Sequence, residues 1–250
     1  MSEFLVARAF GYRLGFRWEL PSSRAVIEGV ILPNWEVTRS NDADHWFRLN
    51  DKNCLYDGDS FWAQEESPES LRHRLQQLVQ MRLTAEATGF VFLHAGVVKW
   101  GEGALVIPGP SRAGKSTLVL ELVRAGGGFL SDEFAVIDPQ GLVHAYPRPL
   151  WQRLSKTRKR CWTLAELEWS PCDPLAVQGL LMTRYVAGAH WNPVELELEQ
   201  ALDEIWKEVR YPSCRPGVRD WLKRAFEGAR RLRGARGEVA GLLPGLTGNA

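Results

Sequence analysis

The chain has 250 residues, of which 45% are apolar and 24% charged, with a formal net charge of +1. The length suits one large domain or a small domain joined to a larger one, and the apolar share excludes the disordered class. A charge balance this close to zero creates no demand for nucleic acid or a charged membrane surface as partner.

In chain order, residues 1–66 read as a small β-rich N-terminal subdomain. Short β-type runs at 25–32 and 46–49 alternate with turn clusters at 20–23, 41–44 and 57–60. Charges at Glu3, Arg8, Arg13, Arg17 and Glu19 break up any signal-peptide apolar stretch. A helix is expected over 67–89. Ser67 suits the cap, Pro68 the first helical position and Gly89 the stop. Leu71, Leu75, Leu78, Val79 and Arg82 recur at helical spacing, with His73 on the solvated side.

From Gly89 the pattern turns α/β, and residues 90–190 read as a nucleotide-binding kinase core. Strands are expected at 90–98 and 104–108, a short helix at 115–125, and strands at 129–131, 134–137 and 142–146. The segment 191–250 reads as helical. One helix opens on the capping pattern Asn192-Pro193-Val194-Glu195, and a second runs from Gly217 through Leu232 into a glycine-rich tail. The longest uncharged run, between Glu86 and Lys99, is shorter than the roughly 18–20 residues of a spanning helix. Cys54, Cys161, Cys172 and Cys214 form no C-x-x-C pair, so free thiols are expected rather than a zinc site or disulfides. A soluble cytoplasmic protein follows, with no membrane partner and with room for homo-oligomerisation. The 11 Trp read as core and subdomain contacts.

The run Gly109-Pro110-Ser111-Arg112-Ala113-Gly114-Lys115-Ser116, followed by Thr117, satisfies G-x-x-x-x-G-K-[ST] between an expected strand and an expected helix. Each residue type has a physical task. Glycines bring backbone N–H groups close to phosphate oxygens. The helix that begins at Lys115 points its free N–H groups and positive dipole end at the same place. Lys115 supplies a mobile positive charge, Arg112 a further phosphate contact, and the Ser116 hydroxyl a hard oxygen suited to Mg²⁺. ATP and Mg²⁺ are the expected cofactors. Asp132 lies 16 residues after Ser116 (132 − 116), at a strand tip that is expected to neighbour the loop in a parallel sheet. A carboxylate there suits Mg²⁺ binding or proton acceptance from a hydroxyl nucleophile. Glu133 beside it is a second metal candidate. His94, 15 residues before Gly109 (109 − 94), is placed near the phosphates by two strands joined through Gly101-Glu102-Gly103.

Three segments together resemble the bacterial HPr kinase/phosphorylase family, and in particular its divergent HPr kinase-related serine kinases. They are Leu93-His94-Ala95-Gly96-Val97-Val98, Leu105 to Thr117, and Leu130-Ser131-Asp132-Glu133, with Tyr146-Pro147-Arg148-Pro149-Leu150 as a weaker fourth. The resemblance implies a fold like that of phosphoenolpyruvate carboxykinase. It implies Asp132 as base toward a substrate serine and His94 beside the transferred phosphate. Glu133 stands where the family has a second Asp, Arg112 is bulkier than its counterpart, and the later HPr-recognition segment has no equivalent here. The implied acceptor is therefore a serine of a protein or peptide, not HPr in particular.

The basic runs at 156–160 and 223–236 read as a solvated loop and a helix face rather than a nucleic-acid surface. Arg148, Arg153 and Arg184 are candidate transition-state cations, of which only Arg148 lies in a motif. Two other function classes remain: a small-molecule kinase for a sugar or nucleoside, marked by a deep Trp-lined pocket, and a non-catalytic nucleotide-binding module.

Overall fold

The structure is a computed structural model that describes residues 3–110, 113–155, 157–212 and 217–243. The chain divides into two compact units after Gly89. Among the described residues it is a mixed α/β protein with five α-helices. None of them is long and apolar enough to cross a membrane.

The first unit comprises β1 (Glu3–Ala9), β2 (Tyr12–Trp18), α1 (Pro21–Glu28), β3 (Glu36–Thr38), β4 (His45–Leu49), β5 (Cys54–Asp57), β6 (Ser60–Gln64) and α2 (Pro68–Glu86). Its six strands form one sheet in the order β3-β1-β2-β4-β5-β6, and α1 and α2 pack together. The 25–32 run, expected as β, is half helix. Pro21 opens α1, Arg24 bridges Glu28 at 2.8 Å, and Val26 and Ile27 are buried. Contact with α2 overrides the β preference of those side chains. At the start of α2, Ser67 Oγ accepts from Ser70 N at 3.1 Å, and Pro68 occupies the first turn. Leu71, Leu75, Leu78 and Val79 are its buried stripe. Arg82 leaves that stripe to meet the Asp57 carboxylate at 2.5 Å, where His45 Nε2 also bonds at 2.5 Å.

The second unit runs β7 (Val91–Trp100), β8 (Gly103–Pro108), α3 (Lys115–Arg124), β9 (Gly128–Ser131), β10 (Phe134–Ile137), β11 (Val143–His144), β12 (Leu150–Arg153), β13 (Lys159–Trp162), β14 (Val177–Tyr185), β15 (Val194–Glu195), α4 (Leu198–Ile205), α5 (Val218–Phe226) and β16 (Arg230–Arg236). Its main sheet has the order β11-β10-β7-β8-β14-β16-β15, with β9 also on β7. Alternate residues sort its two faces. Val91, Leu93, Ala95 and Val97 pack with α4 and α5. Val98, Leu105 and Ile107 pack with α3. Side chains buried to this degree, such as Leu202 and Leu118, each contribute about 1.5–3 kcal/mol.

Two C-terminal expectations are corrected. Residues 192–195 do not cap a helix. Val194 and Glu195 pair antiparallel with Arg233 and Leu232, and α4 starts at Leu198. The second helix stops at Phe226, and residues 230–236 form a strand parallel to β14, from Gly179↔Arg230 to Tyr185↔Arg236. That arginine-rich strand lacks an apolar alternation, so only its long-range pairing makes it a strand. The C-terminal part is therefore as much sheet as helix. The 223–236 basic run is correspondingly structural: Arg231 donates to the Leu196 and Ala229 carbonyls, and Arg233 pairs with Glu204.

Candidate active site

β8 is buried along its whole length and delivers the chain to Gly109 at the sheet's edge. Gly109 (φ 147°) and Gly114 (φ 86°) adopt backbone angles that side-chain-bearing residues avoid. Gly114 is the N-cap of α3 and offers no side-chain cap to the helix's first N–H groups. A Cβ on Gly114 would lie 3.1 Å from Arg236 Nη2, whose own hydrogen bond goes to the Gly114 carbonyl at 3.1 Å. Lys115 folds over the loop. Its Nζ donates to the Gly109 carbonyl at 2.6 Å and the Pro110 carbonyl at 3.1 Å, and the residue is 8% exposed. Burial lowers the Lys115 pKa, opposed by the charges of Asp132, Glu208 and Glu133. Ser111 and Arg112 lie outside the described residues. Ala113 closes a turn onto the Pro110 carbonyl at 3.2 Å.

The acidic pair is held by strand register. Val97 faces Ser131 and His94 faces Phe134 across β7, which leaves Asp132 and Glu133 opposite Gly96 and Ala95. Ala95 N donates to the Glu133 carbonyl at 3.3 Å. Ser131 Oγ accepts from the backbone N of Glu133 and of Phe134 at 3.1 and 3.0 Å, so a buried hydroxyl fixes the bend. The strand carrying the acids is not a neighbour of β8. It lies across β7, which pairs antiparallel with both. Gly96 makes that arrangement possible. A Cβ there would meet Val119 Cγ2 of α3 at 2.4 Å and come within 3.9 Å of Asp132 Oδ1.

Asp132 is the most perturbed acid in the site. Burial, with the Glu133 charge adding to it, raises its pKa to about 7, against a Ser116 hydrogen bond and the charges of Lys115 and Arg148. Its Oδ1 is buried and has no hydrogen-bond partner among the described residues. Such an orphan atom costs stability unless something binds it. His94 is 9% exposed, and its Nδ1 lies 3.3 Å from Glu208 Oε2. Burial first, then the charges of Lys115 and Arg210, push its pKa below the ordinary 6.5, so the imidazole is neutral at pH 7. Arg148 reaches the group through Tyr146, which is buried, hydrogen-bonded to it, and raised to about 12 chiefly by burial.

The structure thus brings together Lys115, Ser116, Asp132, Glu133, His94 and Arg148. Thr117 lies one residue into α3 from Ser116. Arg184 stands at the end of β14, and Arg153 in the β12–β13 hairpin is exposed. Sequence reasoning missed Glu208 and Arg210. Both come from the segment after α4, where Val209 pairs with Leu93 and Arg210 N donates to the Phe92 carbonyl at 2.9 Å. Glu208 is 114 positions from His94, and no local pattern marks it. Tyr185 and Arg236 were missed for the same reason. Among the described residues no group of three His, Cys, Asp or Glu stands ready for a metal. The oxygen donors present, the Ser116 hydroxyl and the orphan carboxylate oxygen of Asp132, do fit Mg²⁺, which takes one or two protein oxygens and completes its shell with water and phosphate.

No family model matches the chain, and no curated protein matches it either. Among solved structures, the HPr(Ser) kinase/phosphatase from Coxiella burnetii is similar over 61% of this chain and 90% of its own length, at 14% identity and a TM-score of 0.35. At that score the likeness carries no argument about activity.

Proposed function

We propose that the protein is an ATP-dependent phosphotransferase acting on a hydroxyl, in the first place the serine of a protein or peptide. The observation that carries this reading is Asp132: a buried carboxyl with an orphan oxygen and a pKa near 7, beside a lysine and a serine on a helix N-terminus. A structural acid would be paired or solvated. A general base is most effective when its pKa lies near the working pH.

In this reading Lys115 and the first-turn N–H groups of α3 hold the β- and γ-phosphates. Ser116 and Glu133 would hold Mg²⁺, which when bound would neutralise phosphate charge, and Asp132 is left to act as base. The acceptor hydroxyl gives its proton to Asp132 Oδ1. Its oxygen forms the new bond to the γ-phosphorus as the bond to the β-phosphate oxygen breaks, and ADP leaves. His94, held through Nδ1 by Glu208, lies beside the transferring group, and Arg148 adds positive charge there.

The test is label transfer from γ-labelled ATP to proteins and peptides of the source cell, followed by identification of the labelled product. Acid-stable, base-labile phosphate supports a serine acceptor, and an acid-labile product refutes it. A second reading, a small-molecule acceptor, is favoured by a cavity of about 540 Å³ beside Gly109, Pro110 and Glu208, although no Trp lines it. ATP binding without transfer to any acceptor would leave a nucleotide-binding module.

A further inference from the structure

The catalytic cluster and a second cavity lie on opposite sides of β8. The acids sit across β7, toward β9 and β10. In the other direction along the sheet come β14 and β16, both parallel to β8 and ending at the same edge. A ligand whose terminal phosphate reaches Lys115 and Asp132 has space for its remainder across the loop, toward β14 and β16. An open sheet of this kind offers its binding crevice at the carboxyl ends of its parallel strands.

A cavity of about 510 Å³ opens at that place, on the α3 face. It is lined by Ala113 and Gly114 of the loop, Thr117 and Glu121 of α3, and Tyr185 and Arg236 of the two strand ends. The volume is typical of a site for a small organic ligand, for which roughly 300–1,000 Å³ is usual.

Its floor is built rather than incidental. Arg236 is 2% exposed and ties the loop to β16 through the Gly114 carbonyl, and it makes no ion pair among the described residues. Its Nε is buried without a hydrogen-bond partner among the described residues. Glu238 at the cavity wall offsets part of its charge, and desolvation of the guanidinium favours a further anion nearby. Over it stands Tyr185, with the guanidinium carbon 5.6 Å from the ring centroid and the phenol donating to Glu238 Oε1 at 2.9 Å. The ring is thus oriented at one end and backed by the arginine, yet the residue remains 46% exposed. A fixed, open aromatic face next to a buried cation suits a ligand that is both aromatic and anionic.

We infer that this cavity seats the nucleoside half of the triphosphate donor, with the base stacked on Tyr185 and its polar groups or ribose hydroxyls donating to Glu121 and Glu238. The inference rests on the phosphate-loop reading above and adds to it the residues that select a nucleotide over a bare polyphosphate.

The experiment compares ATP with inorganic tripolyphosphate by calorimetry in the presence of Mg²⁺, using the full chain as wild type, Tyr185→Ala and Tyr185→Phe. Loss of a stacking partner should weaken ATP binding by about 5- to 100-fold in Tyr185→Ala, leave tripolyphosphate within about twofold, and cost Tyr185→Phe no more than about threefold. Retained tripolyphosphate binding also shows that the variants are folded. Unchanged ATP affinity in Tyr185→Ala overturns the inference, as does an equal loss for both ligands. A wild type that binds the two ligands equally overturns the nucleoside subsite while leaving the loop reading intact. A wild type that binds neither refutes the loop reading and this inference with it.

Discussion

Asp132→Asn should move stability and activity in opposite directions. The wild-type carboxyl has a folded pKa of about 7 against about 4 for an unfolded aspartate. Each unit of that difference is about 1.4 kcal/mol, so holding the ionised form in the folded state costs up to roughly 4 kcal/mol. The sign follows from the raised value. Below about pH 4 both states bind the proton and nothing is lost. Between about pH 4 and 7 the unfolded chain has released the proton while the folded one keeps it, and stability falls. Above about pH 7 the loss is complete and constant. Asparagine never ionises, so its advantage over wild type should be absent at pH 4 and grow to several kcal/mol at pH 8, less the value of the altered Ser116 contact. For a unit of this size that corresponds to roughly 5–10 °C in Tm. Phosphoryl transfer should fall by about 10²–10⁴-fold, because the amide accepts no proton. Thermal melts across pH 4–8 and single-turnover transfer with an identified acceptor measure both. An Asn variant that is no more stable than wild type at pH 8 refutes the buried-carboxyl argument. One that transfers at the wild-type rate refutes the base assignment and points to Glu133 or His94.

Lys115→Ala should abolish tight triphosphate binding while the sheet survives, since among the described residues Lys115 bonds only to loop carbonyls; calorimetry and circular dichroism check the two halves. Glu133→Gln should raise the Mg²⁺ concentration needed for half-maximal transfer more than it lowers the limiting rate, and excess chelator should stop transfer altogether. Gly96→Ala should destabilise by about 1–3 kcal/mol and impair transfer, because the added methyl lies 2.4 Å from Val119 and forces α3 away from the acids; a denaturant melt with wild-type midpoint contradicts that packing. In the first unit, burial raises the Asp57 pKa but hydrogen bonds from Arg82 and His45 outweigh it, for a net lowering. The stability this supplies is present above the unfolded value near pH 4 and lost as pH falls through the lower folded value, so Asp57→Asn should cost about 1–3 kcal/mol at pH 7 and progressively less in acid, read by urea titration at both pH values.

Local chemistry made several features legible in the sequence. Ser67 and Pro68 announce α2 because capping is satisfied within one turn. The loop residues from Gly109 to Lys115 announce a turn into a helix because glycine conformations and a helix N-terminus are properties of adjacent residues. The spacing of His94, Lys115 and Asp132 was informative because a few short connections leave little freedom in where they meet. Where pairing partners are distant, the same reasoning failed. Residues 230–236 look like a continuing helix until β14 offers a parallel edge. The 25–32 run looks like strand until α2 covers its apolar side.

The decisive properties of the site belong to the second group. Nothing near Asp132 in sequence says that it is buried with an oxygen unpaired among the described residues, and that burial is what lifts its pKa toward neutrality. Glu208 reaches His94, and Arg236 reaches Gly114, across more than a hundred positions of chain. The sequence by itself determined which side chains are candidates for phosphate chemistry and which short segments turn, cap or extend. Only the tertiary structure decided their partners, their dielectric surroundings and the cavities beside them, because desolvation and long-range strand pairing depend on which distant segments close over a residue and not on its neighbours in the chain.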